Sequence, residues 1–310
     1  MVTSRVILSP EFMMVWKTSD GKAVRRYWRI LAVITVLTST SVPALADEKP
    51  AESTEAASAQ RSARLASMKT LAAQFVMKSA RAGDKQPFEL HPDPIFRYSD
   101  QPRGFVDATL WSWGPPGSTG RPAAIAKIEA AVSPDRVPYW HFCVVSLDDE
   151  LVTADFNGAR RLTATKPGLE LRSIRGAPDA ADRPAARQRQ MKDLMARFTA
   201  TIFNTNPDTK RPEPQEMRLL ATPIHRYAEE ATGLRDGIIC GLTTNGTNPD
   251  MLIVIELRGD KDSSAEWKYG VVKMTIAEVH VRLDRDELWM SPRNGPRETW
   301  DSFTKMPREE

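Results

Sequence analysis

Apolar and polar positions along this chain fall into short bursts, and the bursts come in the same order twice. From residue 61 the spacing is helical: Leu65, Met68, Ala72 and Phe75 form one stripe, and Gly83 is a stop signal. Runs rich in β-branched and aromatic residues follow at 88–98, 105–113, 123–129, 139–147 and 151–156. A second helical stripe carries Met191, Leu194, Met195, Phe198 and Ile202, with Asp182 as a cap, Pro184 in the first turn and Asn206-Pro207 as its end. Strand-like runs then return at 219–227, 234–242, 251–257, 267–276 and 279–283, punctuated most clearly by Asn245-Gly246-Thr247-Asn248-Pro249. The connections are too short for parallel crossovers, so neighbouring strands pair antiparallel. Burying each large anchor of a helix contributes about 1.5–3 kcal/mol, whereas ordering its backbone costs about 1–2 kcal/mol per residue. Each helix therefore needs a sheet to lie on.

Set side by side, residues 94–113 (PIFRYSDQPRGFVDATLWSW) and 223–242 (PIHRYAEEATGLRDGIICGL) match without a gap. Pro94, Ile95, Arg97, Tyr98, Gly104 and Asp107 fall on Pro223, Ile224, Arg226, Tyr227, Gly233 and Asp236. Upstream, Arg64, Met68, Lys69, Leu71, Ala73 and Phe75 fall on Arg187, Met191, Lys192, Leu194, Ala196 and Phe198. Downstream, Pro122, Ile128, Glu129, Trp140 and Phe142 fall on Pro249, Ile255, Glu256, Trp267 and Tyr269. Four blocks in one order point to an internal duplication of a unit of about 110 residues. The expected fold is α+β: two homologous units, each one helix on a five- to six-stranded antiparallel meander, arranged about a pseudo-two-fold. The expected organisation is a signal peptide at 1–46, a flexible linker at 47–59, repeat units at 60–165 and 183–292, a connector at 166–182 and a C-terminal tail at 293–310.

The strands lack the clean alternation of a half-solvated sheet. Leu234, Ile238, Cys240 and Leu242 share one side, yet the other carries Gly237, Ile239 and Gly241. Phe105, Thr109, Trp111 and Trp113 share a side in the first copy, against Val106, Ala108 and Leu110. Both faces are therefore expected to be covered, one by the helix and the other by the partner copy or a ligand.

Charge narrows the partners. Residues 1–46 hold six basic and two acidic side chains, and the remainder balances 37 basic against 38 acidic. A phosphate-binding field is missing, which disfavours nucleic acid. The first 46 residues have export-signal features: the basic Arg25-Arg26-Tyr27-Trp28-Arg29, the apolar run ILAVITVL at 30–37 and Ala44-Leu45-Ala46. The apolar run is too short to span a bilayer. The expected location is the periplasm or the outside of the cell, with no transmembrane segment after signal removal. Cys143 and Cys240 occupy non-equivalent places in the two copies and are read as buried free thiols, although an exported chain permits a bridge.

The matched polar residues Arg97/Arg226, Asp107/Asp236 and Glu129/Glu256 admit two readings. Carboxylates beside an arginine can do acid–base work or hold an anion. Equally, they can bridge adjacent strands, and their presence in both copies favours architecture. Tyr98/Tyr227 and Trp140/Trp267 read as core anchors. The aromatic side of the first copy, with Trp111, Trp113, Phe105 and Phe96, either lines a groove for an apolar ligand or partner chain or fills the interface between copies. His91, His141, His225 and His280 lack a zinc spacing, and Cys240 with His225 is a poor nucleophile pair because the thiol sits in an apolar strand. Residues 114–120 (GPPGSTG) lack the lysine of a phosphate loop and read as a turn. No catalytic residue, metal ligand or cofactor motif stands out.

The unit's Met-Lys-x-Leu-x-Ala-x-Phe helix, Pro-Ile-x-Arg-Tyr strand, Asp-Gly or Asp-Ala hairpin, Gly246-Thr247-Asn248-Pro249-Asp250 turn and Trp-x-Tyr/Phe strand resemble an uncharacterised family of planctomycete-type bacteria. The resemblance covers both copies and implies no activity, cofactor or binding residues. Residues 117–122 (GSTGRP) depart from it at the turn. The function expected on these grounds is an exported, non-catalytic binding or interaction protein for an unknown protein or small apolar ligand. Two alternatives stay open: an envelope or periplasmic hydrolase-like enzyme using carboxylates of one copy, and a carrier of an apolar ligand.

Overall fold

Two helices and a set of antiparallel sheets make up the described residues of the computed structural model, which are 52–80, 86–158, 160–206, 208–259 and 264–305. The predicted signal peptide lies outside them. Helix α1 (Glu52–Ala72) leads to β1 (Phe75–Ser79), β2 (Glu89–Leu90), β3 (Phe96–Asp100), β4 (Phe105–Gly114), β5 (Ala124–Val132), β6 (Pro138–Ser146), β7 (Val152–Phe156) and β8 (Arg160–Thr163). A two-residue strand, β9 (Arg172–Ser173), precedes α2 (Pro184–Met195). Then come β10 (Phe198–Thr205), β11 (Pro212–Leu219), β12 (His225–Glu229), β13 (Leu234–Thr243), β14 (Met251–Arg258), β15 (Glu266–Lys273), β16 (Glu278–Leu283), β17 (Asp286–Ser291) and β18 (Trp300–Lys305).

Both helices stop earlier than their apolar stripes suggested. Phe75 and Phe198 open strands β1 and β10, and in β10 Phe198, Ala200 and Ile202 are buried on alternate positions. Phe198 and Ile202 are four apart, a spacing that fits one face of a helix and one face of a strand equally well. At the start of α2 the cap position is Arg183, without a side-chain cap bond, so the expected Asp182 cap does not form; Pro184 sits in the first turn as its fixed φ favours. Helix α1 reaches back into residues expected to be linker, with exposed side chains over 55–59.

Strands β4, β5 and β6 form a meander, as do β13, β14 and β15. The strands flanking each meander are not one simple continuation of it. β1 pairs with β7 and β7 with β8, while β10 pairs with β16 and β16 with β17. The outer edge of each meander is closed from the opposite half of the chain. β18 pairs with β6 over six residues, whereas β9 pairs with β15 only at Lys268 and Tyr269. The tail and connector of the sequence reading thus each contain a strand.

Three apolar clusters hold these layers together. One packs Met191, Leu194 and Met195 of α2 on one face of β13–β15, with Phe198, Val279 and Val281. Another packs Met68, Leu71 and Ala72 of α1 on Trp111, Trp113, Ile128 and Phe142. The third joins the opposite faces, with Leu110, Ile125 and Val145 from the first half meeting Ile239, Leu252 and Val254 from the second. Both faces of each meander are covered, which explains the missing polar alternation. A turn ending in Gly104 or Gly233 (φ 79° and 72°) precedes each hairpin, a conformation glycine adopts without steric cost. A bulge follows at once, between Phe105 and Asp107 and between Leu234 and Asp236. It slips the alternation by one, so Leu234 joins the central cluster while Ile238 faces α2, contrary to the shared side expected of them.

Candidate functional site

The bulges decide where the matched carboxylates point. Asp107 faces α1, where it accepts from Arg97 Nε (2.9 Å) and Nη2 (2.6 Å) and from Arg64 Nε (3.2 Å). Asp236 repeats the arrangement, accepting from Arg226 Nε (2.9 Å) and Nη2 (2.8 Å) and from Arg187 Nε (3.0 Å). Glu129 instead pairs across from Ala108 and lies on the opposite face, where it accepts from Tyr98 Oη at 2.7 Å. Glu256 accepts from Tyr227 Oη at 2.9 Å and from Arg258 Nε at 2.5 Å. Asp107 and Glu129, and likewise Asp236 and Glu256, therefore lie on opposite faces, and neither pair converges on one site. The arginines bridge adjacent strands and tie them to a helix, the architectural alternative. Burial and the neighbouring carboxylates push Tyr98 and Tyr227 well above the usual phenol range, so both remain donors.

Each turn between the first two meander strands reaches into the other half. Arg121 Nη1 donates to Glu256 at 3.0 Å, and Asn248 Nδ2 donates to Glu129 at 3.1 Å. These residues immediately precede the matched Pro122 and Pro249, so the contacts are reciprocal. Around Asn248 the network extends to Lys127 Nζ (2.8 Å to Oδ1), to Asp100 and, through Arg103, to Asp250 (2.6 Å). Burial alone would raise the Glu129 carboxyl. The hydrogen bond with His141 Nδ1 (2.6 Å), the Lys127 charge and the Tyr98 hydroxyl outweigh it and hold Glu129 below the ordinary range.

The aromatic side chains proposed as a groove separate. Trp111 and Trp113 are buried at 0% and 2% exposure against α1, with Phe75 edge-on to Trp113 at 5.7 Å. They fill neither a groove nor the interface between the halves, because the helix side of β4 carries them. Phe96 stacks on Tyr98, and Phe105 lies 5.8 Å from His141. An open cleft of about 410 Å³ touches Trp113, and polar groups, among them Glu89, His91, Ser118 and His225, share its lining with apolar ones. It is not the closed apolar cavity that a carrier site beside Trp111 and Trp113 would require. Trp140 and Trp267 are buried, as expected of anchors. Cys143 and Cys240 are free, buried in different clusters, and pushed by burial to about 12. Among the described residues, no three His, Cys, Asp or Glu side chains are placed to hold a metal ion, and no helix is long and apolar enough to cross a membrane.

A larger opening lies elsewhere, between β15, β17 and the segments running at 166–172 and 296–300. Its volume is about 700 Å³, and Tyr269, Val271, Leu288, Trp289 and Met290 supply apolar walls. A comparison within the chain explains why space is left here. On β6, Phe303 sits opposite Phe142 and stacks on it at 4.8 Å, closing the layer with Phe156 and Phe75. On β15, the residue opposite Tyr269 is Arg172, an exposed side chain that pairs with Glu170 (3.0 Å) and reaches Tyr269 at the rim. An aromatic plug in one half is thus replaced by a surface ion pair in the other. Sequence reasoning missed this site because β9, β17 and β18 carry no strong strand pattern. The available signal was the match of Phe142 with Tyr269. The chain matches no protein-family model, no curated protein and no solved structure.

Proposed function

We propose that this chain is an exported, non-catalytic binding protein built from two copies of one helix-and-sheet unit about a pseudo-two-fold, and that its ligand occupies the β15–β17 cleft. The observation that carries the reading is the empty counterpart of the Phe303 plug, a space of about 700 Å³, within the range that pockets for small molecules occupy. Duplication is supported by the four matched sequence blocks, by the parallel order of strand partners in the two halves and by the reciprocal reach of Arg121 and Asn248. Export is supported by the basic, apolar and Ala-x-Ala segments within residues 1–46.

Arg172→Phe tests the cleft directly, since it places the plug where the first half already has one. Titration with 1-anilinonaphthalene-8-sulfonate, followed by fluorescence, is expected to show one saturable site in the native chain and in Arg172→Gln. Arg172→Phe is expected to abolish it. Equal binding by all three proteins would place the ligand elsewhere and refute the reading.

A further inference from the structure

The cations that line the cleft are paired off, with one exception. Lys166 pairs with Glu298 and Arg172 with Glu170 (3.0 Å), while the exposed Asp149 shares Arg121 (3.6 Å) with Glu256. Lys273, on the last residue of β15, has no carboxylate within ion-pairing distance among the described residues, although it is only 5% exposed. Its Nζ donates to two neutral acceptors, Ser291 Oγ (3.2 Å) and Pro292 O (2.9 Å), both of which also line the cleft. An ammonium has three donors, so one remains. A buried cation held only by neutral oxygens has not regained in the fold what it lost on leaving water.

We infer that the cleft takes a small monocarboxylate with an apolar body, the carboxylate seated on Lys273 and the body lying against Tyr269, Val271, Leu288 and Trp289. The inference rests on the cleft reading above and names its ligand class. Charge complementarity at the ammonium supports it, because Lys166 and Arg172 are already engaged by Glu298 and Glu170 whereas Lys273 has no carboxylate partner among the described residues. The apolar wall supports it too: Val271, Leu288 and Trp289 are only partly buried, and an apolar chain would cover them. Burial lowers Lys273 to about 8, with Arg293 acting in the same sense and Glu278 against it. At neutral pH the ammonium form still predominates, and a bound anion would raise its proton affinity.

Sodium octanoate and 1-octanol are probes that share a body and differ in charge, and calorimetric titration of the full chain compares them. The native chain at pH 7 is expected to prefer octanoate. Lys273→Met, which keeps the side-chain bulk, is expected to weaken octanoate about 10- to 100-fold, the weight of a hydrogen bond to a charged group, and to leave octanol unchanged. Octanoate affinity is also expected to fall as pH rises past 8 in the native chain but not in Lys273→Met, a readout that a packing role would not move. Native-like octanoate binding by Lys273→Met, or equal affinity of the native chain for both probes, overturns the carboxylate assignment. If Arg172→Phe then still abolishes octanoate binding, the cleft reading stands without it. Failure of both probes to bind the native chain overturns the carboxylate assignment, and the dye titration decides the cleft reading separately.

Discussion

Replacing Asp236 by Asn removes a charge on which two arginines converge while changing the side chain's shape very little. Asp236 is 2% exposed and accepts three bonds of 2.8–3.0 Å, two from Arg226 and one from Arg187. Breaking a fully buried ion pair by neutralising one partner costs about 3–5 kcal/mol, because the other charge is left uncompensated. Here the Arg187 and Arg226 side chains keep 17% and 38% exposure, so water can recover part of their hydration. The expected loss lies at the lower end, about 3 kcal/mol. With a urea slope of about 3 kcal/mol per molar, the upper part of the range for small proteins, the midpoint should fall by about 1 M. Equilibrium unfolding followed both by circular dichroism and by tryptophan fluorescence measures it, and coincidence of the two curves establishes the two-state condition. Asp107→Asn should behave alike, given its bonds to Arg97 and Arg64. In a double-mutant cycle, Arg226→Gln added to Asp236→Asn should cost less than the sum of the two. A midpoint within about 0.2 M of the native value, or strict additivity in the cycle, would refute the claim that these carboxylates hold helix, strand and hairpin together.

The remaining predictions concern titrating groups. Cys143 and Cys240, pushed to about 12 by burial, should not react with a disulfide reagent at pH 8 in the native chain, yet both should react in urea; rapid native labelling would show that one of them is reachable. His225 is held below its ordinary value of 6.5 by burial and by the facing His91, whose ring centroid is 6.1 Å away. Near and below 6.5 the unfolded chain therefore binds more protons than the folded one, and stability falls as pH drops through that window. His225→Phe, which supplies the residue found at the matched position 96, should flatten the fall between pH 7.5 and 5.5 in urea midpoints; an unchanged slope would assign the acid sensitivity to other groups.

The meander strands were legible because each was a short β-branched run closed by Gly, Pro or Asn, and because the second half repeated the order of the first. The helix-to-strand switches at 72–75 and 195–198 were not, since a residue pair four apart satisfies both periodicities. The bulges after Gly104 and Gly233 were invisible to alternation alone, and they are what send Asp107 and Glu129 to opposite faces. Arg121 and Asn248 could have been singled out by their place before the matched prolines, but the acceptor of each lies more than a hundred residues away. The cleft was the least legible feature. It arises from what Arg172 does not fill, and an unfilled space has no letter of its own.

The edge of β6 is completed by residues 300–305, about 160 positions further along the chain. As the protein leaves the ribosome at about 5–20 residues per second, that edge waits about 10–30 s for its last neighbour. Through that interval the backbone groups of 140–145 on the outer side stand unpaired, in a strand carrying Trp140, Phe142, Val144 and Val145. Every nascent copy thus passes through a stage in which an apolar strand is open to the wrong chain, and a chaperone that shields extended apolar segments would be of use to it there.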